Sequence, residues 1–114
     1  ARVLALIETG EITGFIASHS LPTLFYLIRK EKSVSEGRAV LTNILQILKV
    51  APVDQTTIEQ ALNLDYPDYE DAVQMMAAVQ QKVDALITRN TKDFLPALLP
   101  VIQPVDFLAS RSEF

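Results

Sequence analysis

The run Val83-Asp84-Ala85-Leu86-Ile87-Thr88 is almost continuously apolar and too short for a typical helix. It reads as a strand buried on both faces, the kind found in parallel sheets. A parallel neighbour requires a crossover connection, usually helical. The rest of the sequence supplies both parts. Residues 12–17, Ile-Thr-Gly-Phe-Ile-Ala, predict a short buried strand, 49–53 a strand or extended link, and Val101–Ile102 a last short strand. Between them lie segments with helical spacing. Val3, Leu4, Leu6 and Ile7 predict a helix over 2–9 that stops at Gly10. Leu24, Phe25, Leu27 and Ile28 face inward from a helix over about 21–32, and Val40, Leu41, Ile44, Leu45 and Ile47–Leu48 from the next. Ile58, Ala61 and Leu62 mark another. Ala72, Val73, Met76 and Val79 share a face of a helix over 69–81, with the Met75–Met76 pair read as core. A final stub carries Phe107 and Leu108.

The punctuation agrees with this division. A serine of Ser18-His19-Ser20 is expected to cap the second helix, whose first turn accepts Pro22. Ser33 with Glu36 makes a capping box, and Asp54 and Asp68 are natural N-caps. Strands alternating with helices predict an α/β layer fold with a mainly parallel sheet. At 114 residues the chain is read as one domain, 1–114, without internal repeats.

Composition narrows the chemistry. With no cysteine there is neither a disulfide framework nor thiolate chemistry, and the chain suits the cytoplasm. No apolar run approaches the ~18 residues of a membrane span. Three glycines and one histidine leave little room for a phosphate-cradling glycine loop or a Ser-His-Asp triad. His19 reads as a polar residue at a helix entrance. A net charge of -4 argues against broad adhesion to nucleic acid but permits a local acidic site.

In open α/β sheets, sites lie beyond the carboxyl ends of the strands. Two stretches qualify, Ser18–Thr23 and Thr88–Asp93. The densest charge lies at Asp65, Asp68, Glu70 and Asp71. Asp68 and Asp71 are one helical turn apart, and converging carboxylates suit a hard cation such as Mg²⁺ or Mn²⁺. The plainer reading is that these acids cap a helix and offset its dipole. If the 69–81 helix runs back along the sheet before the apolar strand, Asp71 meets Asp93 at one edge, and the two can share a metal. Thr-Arg-Asn-Thr, residues 88–91, also reads as an ordinary strand exit with polar turn residues, and Arg89 and Lys92 are either solvated charges or hold a phosphate beside the metal.

The order Asp68-Tyr69-Glu70-Asp71-Ala72, then Ala85-Leu86-Ile87-Thr88-Arg89-Asn90-Thr91-Lys92-Asp93-Phe94, then Pro104-Val105-Asp106-Phe107-Leu108 resembles the PIN domain. Gly14 to Lys30 is similar to that family's strand and helix after its first helix. These are metal-dependent nucleases, many of them toxins of bacterial toxin–antitoxin modules. The resemblance implies a three-layer sandwich, a parallel sheet flanked by helices. It also implies acids at the carboxyl edge of the sheet that hold Mg²⁺ or Mn²⁺ for endonucleolytic hydrolysis of RNA. Asp71 matches the family's central acid, Asp93 supplies the charge after the Thr-Arg strand exit, and Asp68 assists as a third ligand. Thr88, Arg89 and Asn90 are the expected substrate contacts, with Ser20 and Thr23 from the other stretch. RNA, an antitoxin protein and a second copy of the chain are the implied partners, the second copy meeting the faces of residues 24–28 and 40–48.

Two departures follow from the resemblance. The family opens with a strand ending in an Asp-Thr-Asn-like motif, whose Asp is a principal ligand. This sequence starts at Ala1, without an initiator Met, where the family's first helix is under way, so a stretch upstream is expected. Many members also carry Glu near the position of Thr23. With both acids missing, the alternative is a degenerate PIN-like module that binds RNA or a partner without cutting it.

Overall fold

The structure, a computed structural model, describes residues 2–112; Ala1, the start discussed above, lies outside them. The chain divides into two compact units, Ala1–Pro52 and Val53–Phe114. The described elements are helices and short parallel strands, an α/β fold as the alternating pattern predicts.

In the N-terminal unit, helix α1 covers Arg2–Glu8. It ends at Gly10, whose φ of 82° lies in the left-handed region that glycine enters without strain. Strand β1 covers Phe15–Ala17, three residues shorter at its start than the apolar run suggests. Gly14 explains part of that difference. A Cβ there would come within 2.4 Å of Ile7 and 2.6 Å of Leu48, so the backbone passes between two side chains before pairing begins. Helix α2 covers Ser20–Glu31 and α3 covers Val34–Ile47, and they return the chain to strand β2, Lys49–Ala51. β1 and β2 pair in parallel, Phe15 beside Lys49 and Ala17 beside Ala51.

The Ser33 hydroxyl accepts from the Glu36 amide at 3.0 Å, which is the N-cap half of the predicted capping box. The predicted serine cap of α2 does not form. His19 occupies that position in helical conformation, and no side chain caps the helix. Instead the Ser18 carbonyl accepts from the Leu21 amide, closing a tight turn directly into the helix. Leu24, Phe25 and Ile28 are half-buried, whereas Leu27, Val40 and Leu45, predicted inward, are exposed.

In the C-terminal unit, α4 covers Gln55–Ala61 and α5 covers Tyr69–Gln81. Asp54 caps α4 in a full reciprocal box with Thr57. The inward face of α4 is Thr57 and Ala61, both fully buried, while Ile58 and Leu62 are exposed. Thr57 tolerates burial because its hydroxyl bonds both the Asp54 carboxylate and the Gln80 side chain. Strand β3, Leu86–Ile87, is the middle of the long apolar run, and it pairs in parallel with β4, Val101–Ile102. The Thr88 amide donates to the Ile102 carbonyl at 3.0 Å and the Leu86 amide to Pro100 at 2.9 Å. Helix α6 covers Pro104–Ser112. The core of this unit joins Ala61, Tyr66, Ala72, Val73, Met75, Met76, Leu86 and Phe94. No helix among the described residues is long and apolar enough to cross a membrane.

Candidate functional site

The start of α5 is built by local rules. Asp68 has extended backbone, and its carboxylate accepts from the Glu70 amide at 2.8 Å, satisfying a donor the helix leaves unpaired. Glu70 and Asp71 follow in the first turn, where negative charge offsets the helix dipole. The next two turns bury Ala72, Val73, Met75, Met76 and Ala77. That packing fixes the rotation of the helix and so the place of Asp71, which is half-buried at its mouth.

The opposing wall comes from the exit of β3. The Thr88 hydroxyl accepts from the Asn90 amide at 3.2 Å and turns the chain away from the sheet. A 3-10 turn over Thr91–Phe94 follows, closed by the Asp93 amide donating to the Asn90 carbonyl at 3.0 Å. Phe94 drives its ring into the core and leaves the neighbouring Asp93 exposed.

Between these walls lies a hollow of about 140 Å³ lined by Pro67, Asp68, Asp71 and Asp93. Its donors are carboxylate oxygens, the hard ligands that Mg²⁺ and Mn²⁺ prefer. The cluster is not a finished cage. Among the described residues no three His, Cys, Asp or Glu side chains converge closely enough to form one. Asp68 already serves the helix cap, and Asp71 and Asp93 face the hollow from its two walls. Two carboxylates completed by water are a usual environment for Mg²⁺, so the donor set fits such an ion.

Tyr66, just before Pro67 and Asp68, is a further part of this region. It is buried, its hydroxyl donates to the Pro96 carbonyl at 2.7 Å, and its ring meets Phe94 edge-on at 6.3 Å between centroids. Burial and the nearby Asp71 carboxylate raise its hydroxyl above the ordinary phenol value. The available sequence signal is an aromatic set within an acidic loop, since a buried tyrosine needs a partner for its hydroxyl.

The other expected contacts are placed as follows. Thr88 is half-buried at the strand exit, and Arg89 and Asn90 are exposed directly after it. None of the three lines the hollow. Ser20 and Thr23 stand in the first turn of α2 in the N-terminal unit, Ser20 half-buried and Thr23 exposed.

The family model for the PIN domain matches residues 1–92, a stretch that runs through both units and stops just before Asp93. A search of curated proteins gives no match. PIN domains are nuclease-type domains that generally use divalent metal ions. With that match over most of its length, and with parallel strands joined by helices, the chain belongs to the PIN domain family.

Proposed function

We propose that this protein is a metal-dependent endoribonuclease in which Asp71 and Asp93 hold Mg²⁺ or Mn²⁺ beside the phosphodiester to be cut. The observation that carries the reading is the hollow that has both carboxylates in its wall. These acids come from segments 22 positions apart, one at a helix start and one after a buried strand. The ion supplies activation of water and neutralisation of the charge that builds on the phosphate. The residues of the chain do the rest. Asp71 and Asp93 bind and orient the ion, while Asp68 keeps the mouth of α5 in place. Arg89 and Asn90, exposed after β3, contact phosphate and ribose, with Thr88 shaping their turn. Ser20 and Thr23, in the first turn of α2, are the RNA contacts proposed for the N-terminal unit. RNA binding then rests on local cations, because the net charge is -4. A role as a toxin held by an antitoxin in the cytoplasm, and pairing of two copies through residues 24–28 and 40–48, belong to the same reading. The exposure of Tyr26, Leu27 and Leu45 supports the pairing.

A second reading, a non-cutting module that binds RNA or a partner protein, has its own support. No three ligating side chains converge among the described residues, and Asp68 is engaged as a cap.

One experiment separates the two: cleavage of single-stranded RNA with Mn²⁺ by the protein, with EDTA and Asp71→Asn as controls. The nuclease reading expects cleavage that EDTA abolishes and that Asp71→Asn lowers by about 100-fold or more, the scale of losing one electrostatic stabiliser. Folded protein that binds RNA and leaves it intact would establish the second reading instead.

A further inference from the structure

We propose that Tyr66 is the positioning residue of the acidic hollow, fixing the Asp93 turn against the start of α5 where Asp71 stands. The inference rests on the reading of Asp71 and Asp93 as the metal-holding pair. Asp93 sits in a single 3-10 turn, exposed, with little local structure to hold it. The chain immediately after it is gripped twice by one side chain. The Tyr66 ring lies edge-on to Phe94, with an interplanar angle of 86°, and the Tyr66 hydroxyl donates to the Pro96 carbonyl at 2.7 Å. On the other side, Tyr66 leads directly into Pro67 and Asp68, both of which line the hollow. Pro67 has a fixed φ, so movement of Tyr66 is passed on with little slack. Tyr66 is itself only 9% exposed and belongs to the same packed cluster as Ala72, Val73 and Met75 of α5. It thus ties together the two walls that carry the acids.

The test is Tyr66→Phe, which keeps the ring against Phe94 and removes only the hydroxyl. Two readouts are taken: backbone ¹⁵N order parameters without metal, and Mn²⁺ affinity by electron paramagnetic resonance. Affinity is measured in wild type, Tyr66→Phe, Asp93→Asn and the double variant. The expected result is a fall in order parameter at Asp93 and Phe94, from about 0.85 toward 0.6, with Val73 and Met75 unchanged. Mn²⁺ affinity should fall about tenfold in the wild-type background and not at all in the Asp93→Asn background, because Tyr66 acts through Asp93. Unchanged order at Asp93 would overturn the proposal, and so would an equal loss of affinity in both backgrounds. Failure of the wild-type protein to bind Mn²⁺ would sink Asp71 and Asp93 as a metal pair. The order parameters would then still decide whether Tyr66 holds the turn.

Discussion

The two units of the chain have similar amounts of helix but bury their side chains differently. Among the described residues of the N-terminal unit the buried ones are small, Ala17, Gly37 and Ala51, and Tyr26, Leu27 and Leu45 remain about half exposed. In the C-terminal unit Met75 is completely buried and Phe94 and Leu86 nearly so. Helical periodicity exists in both, so periodicity alone does not close a core. Closure needs side chains from distant segments to meet on one helix, as Tyr66 and Phe94 do with α5. The acidic hollow belongs to the unit that achieves this. A site built from two carboxylates needs walls that do not drift, and a packed helix supplies one of them.

The largest effect expected from this contrast is on stability. Met75→Ala should cost about 2–5 kcal/mol, the range for truncating a buried methionine into a cavity, read as a lowered urea midpoint. Leu27→Ala, at an exposed position of α2, should stay within about 0.5 kcal/mol. A Leu27→Ala loss as large as that of Met75→Ala would break the contrast. If the loss also shrank on dilution, a second copy would be covering α2, because binding stabilises by mass action and that stabilisation fades as the pair dissociates.

Which parts were legible in the sequence follows from the same contrast. Helix α5 runs over Tyr69–Gln81, as its spacing and the Asp68 cap predict, because local signals and burial agree there. Ile58 and Leu62 were expected inside, yet Thr57 and Ala61 take the inner face of α4. The Thr57 hydroxyl meets Asp54 within the cap, a local signal, but also Gln80 far along the chain, and that second contact has no local signature. The long apolar runs forming β1 and β3 overstate the strands, because apolar residues beside a strand can pack without pairing. At the site, the meeting of Asp71 and Asp93 follows from how a helix start and a strand exit share one edge of a sheet. Tyr66 is only faintly marked in the sequence because its partner is a backbone carbonyl, which every residue possesses.

A smaller effect distinguishes how the helices of the less buried unit hold together. α3 presents no fully buried apolar side chain, so its local cap should matter more than packing at its first turn. Ser33→Ala removes the acceptor for the Glu36 amide and should cost about 1 kcal/mol. Calorimetry should show that loss as a lower unfolding temperature. No measurable change would mean that water replaces the cap at no cost and that α3 is held by its neighbours.

The least effect expected, and the most local, compares the two caps themselves. The Ser33 cap is neutral, whereas the Asp54 cap is a carboxylate. The Thr57 amide and hydroxyl bond to Asp54 and hold its pKa below the usual 3.8. A folded pKa depressed in this way contributes stability above the unfolded value, and that contribution is lost as pH falls through the folded one. The cap of α4 should therefore be intact near neutrality and weaken once pH drops below 3.8, while the cap of α3 should not respond. Amide exchange can report each helix separately. The Ile58 amide bonds to the Asp54 carbonyl at 3.1 Å and the Gly37 amide to the Ser33 carbonyl at 3.0 Å. Acid should lower the protection of Ile58 and spare Gly37. Asp54→Asn keeps an acceptor oxygen but removes the titration, so it should flatten the Ile58 profile and leave Gly37 unchanged. An acid step at Ile58 that survives Asp54→Asn would assign the sensitivity to another carboxylate, and the two caps would then differ in geometry alone.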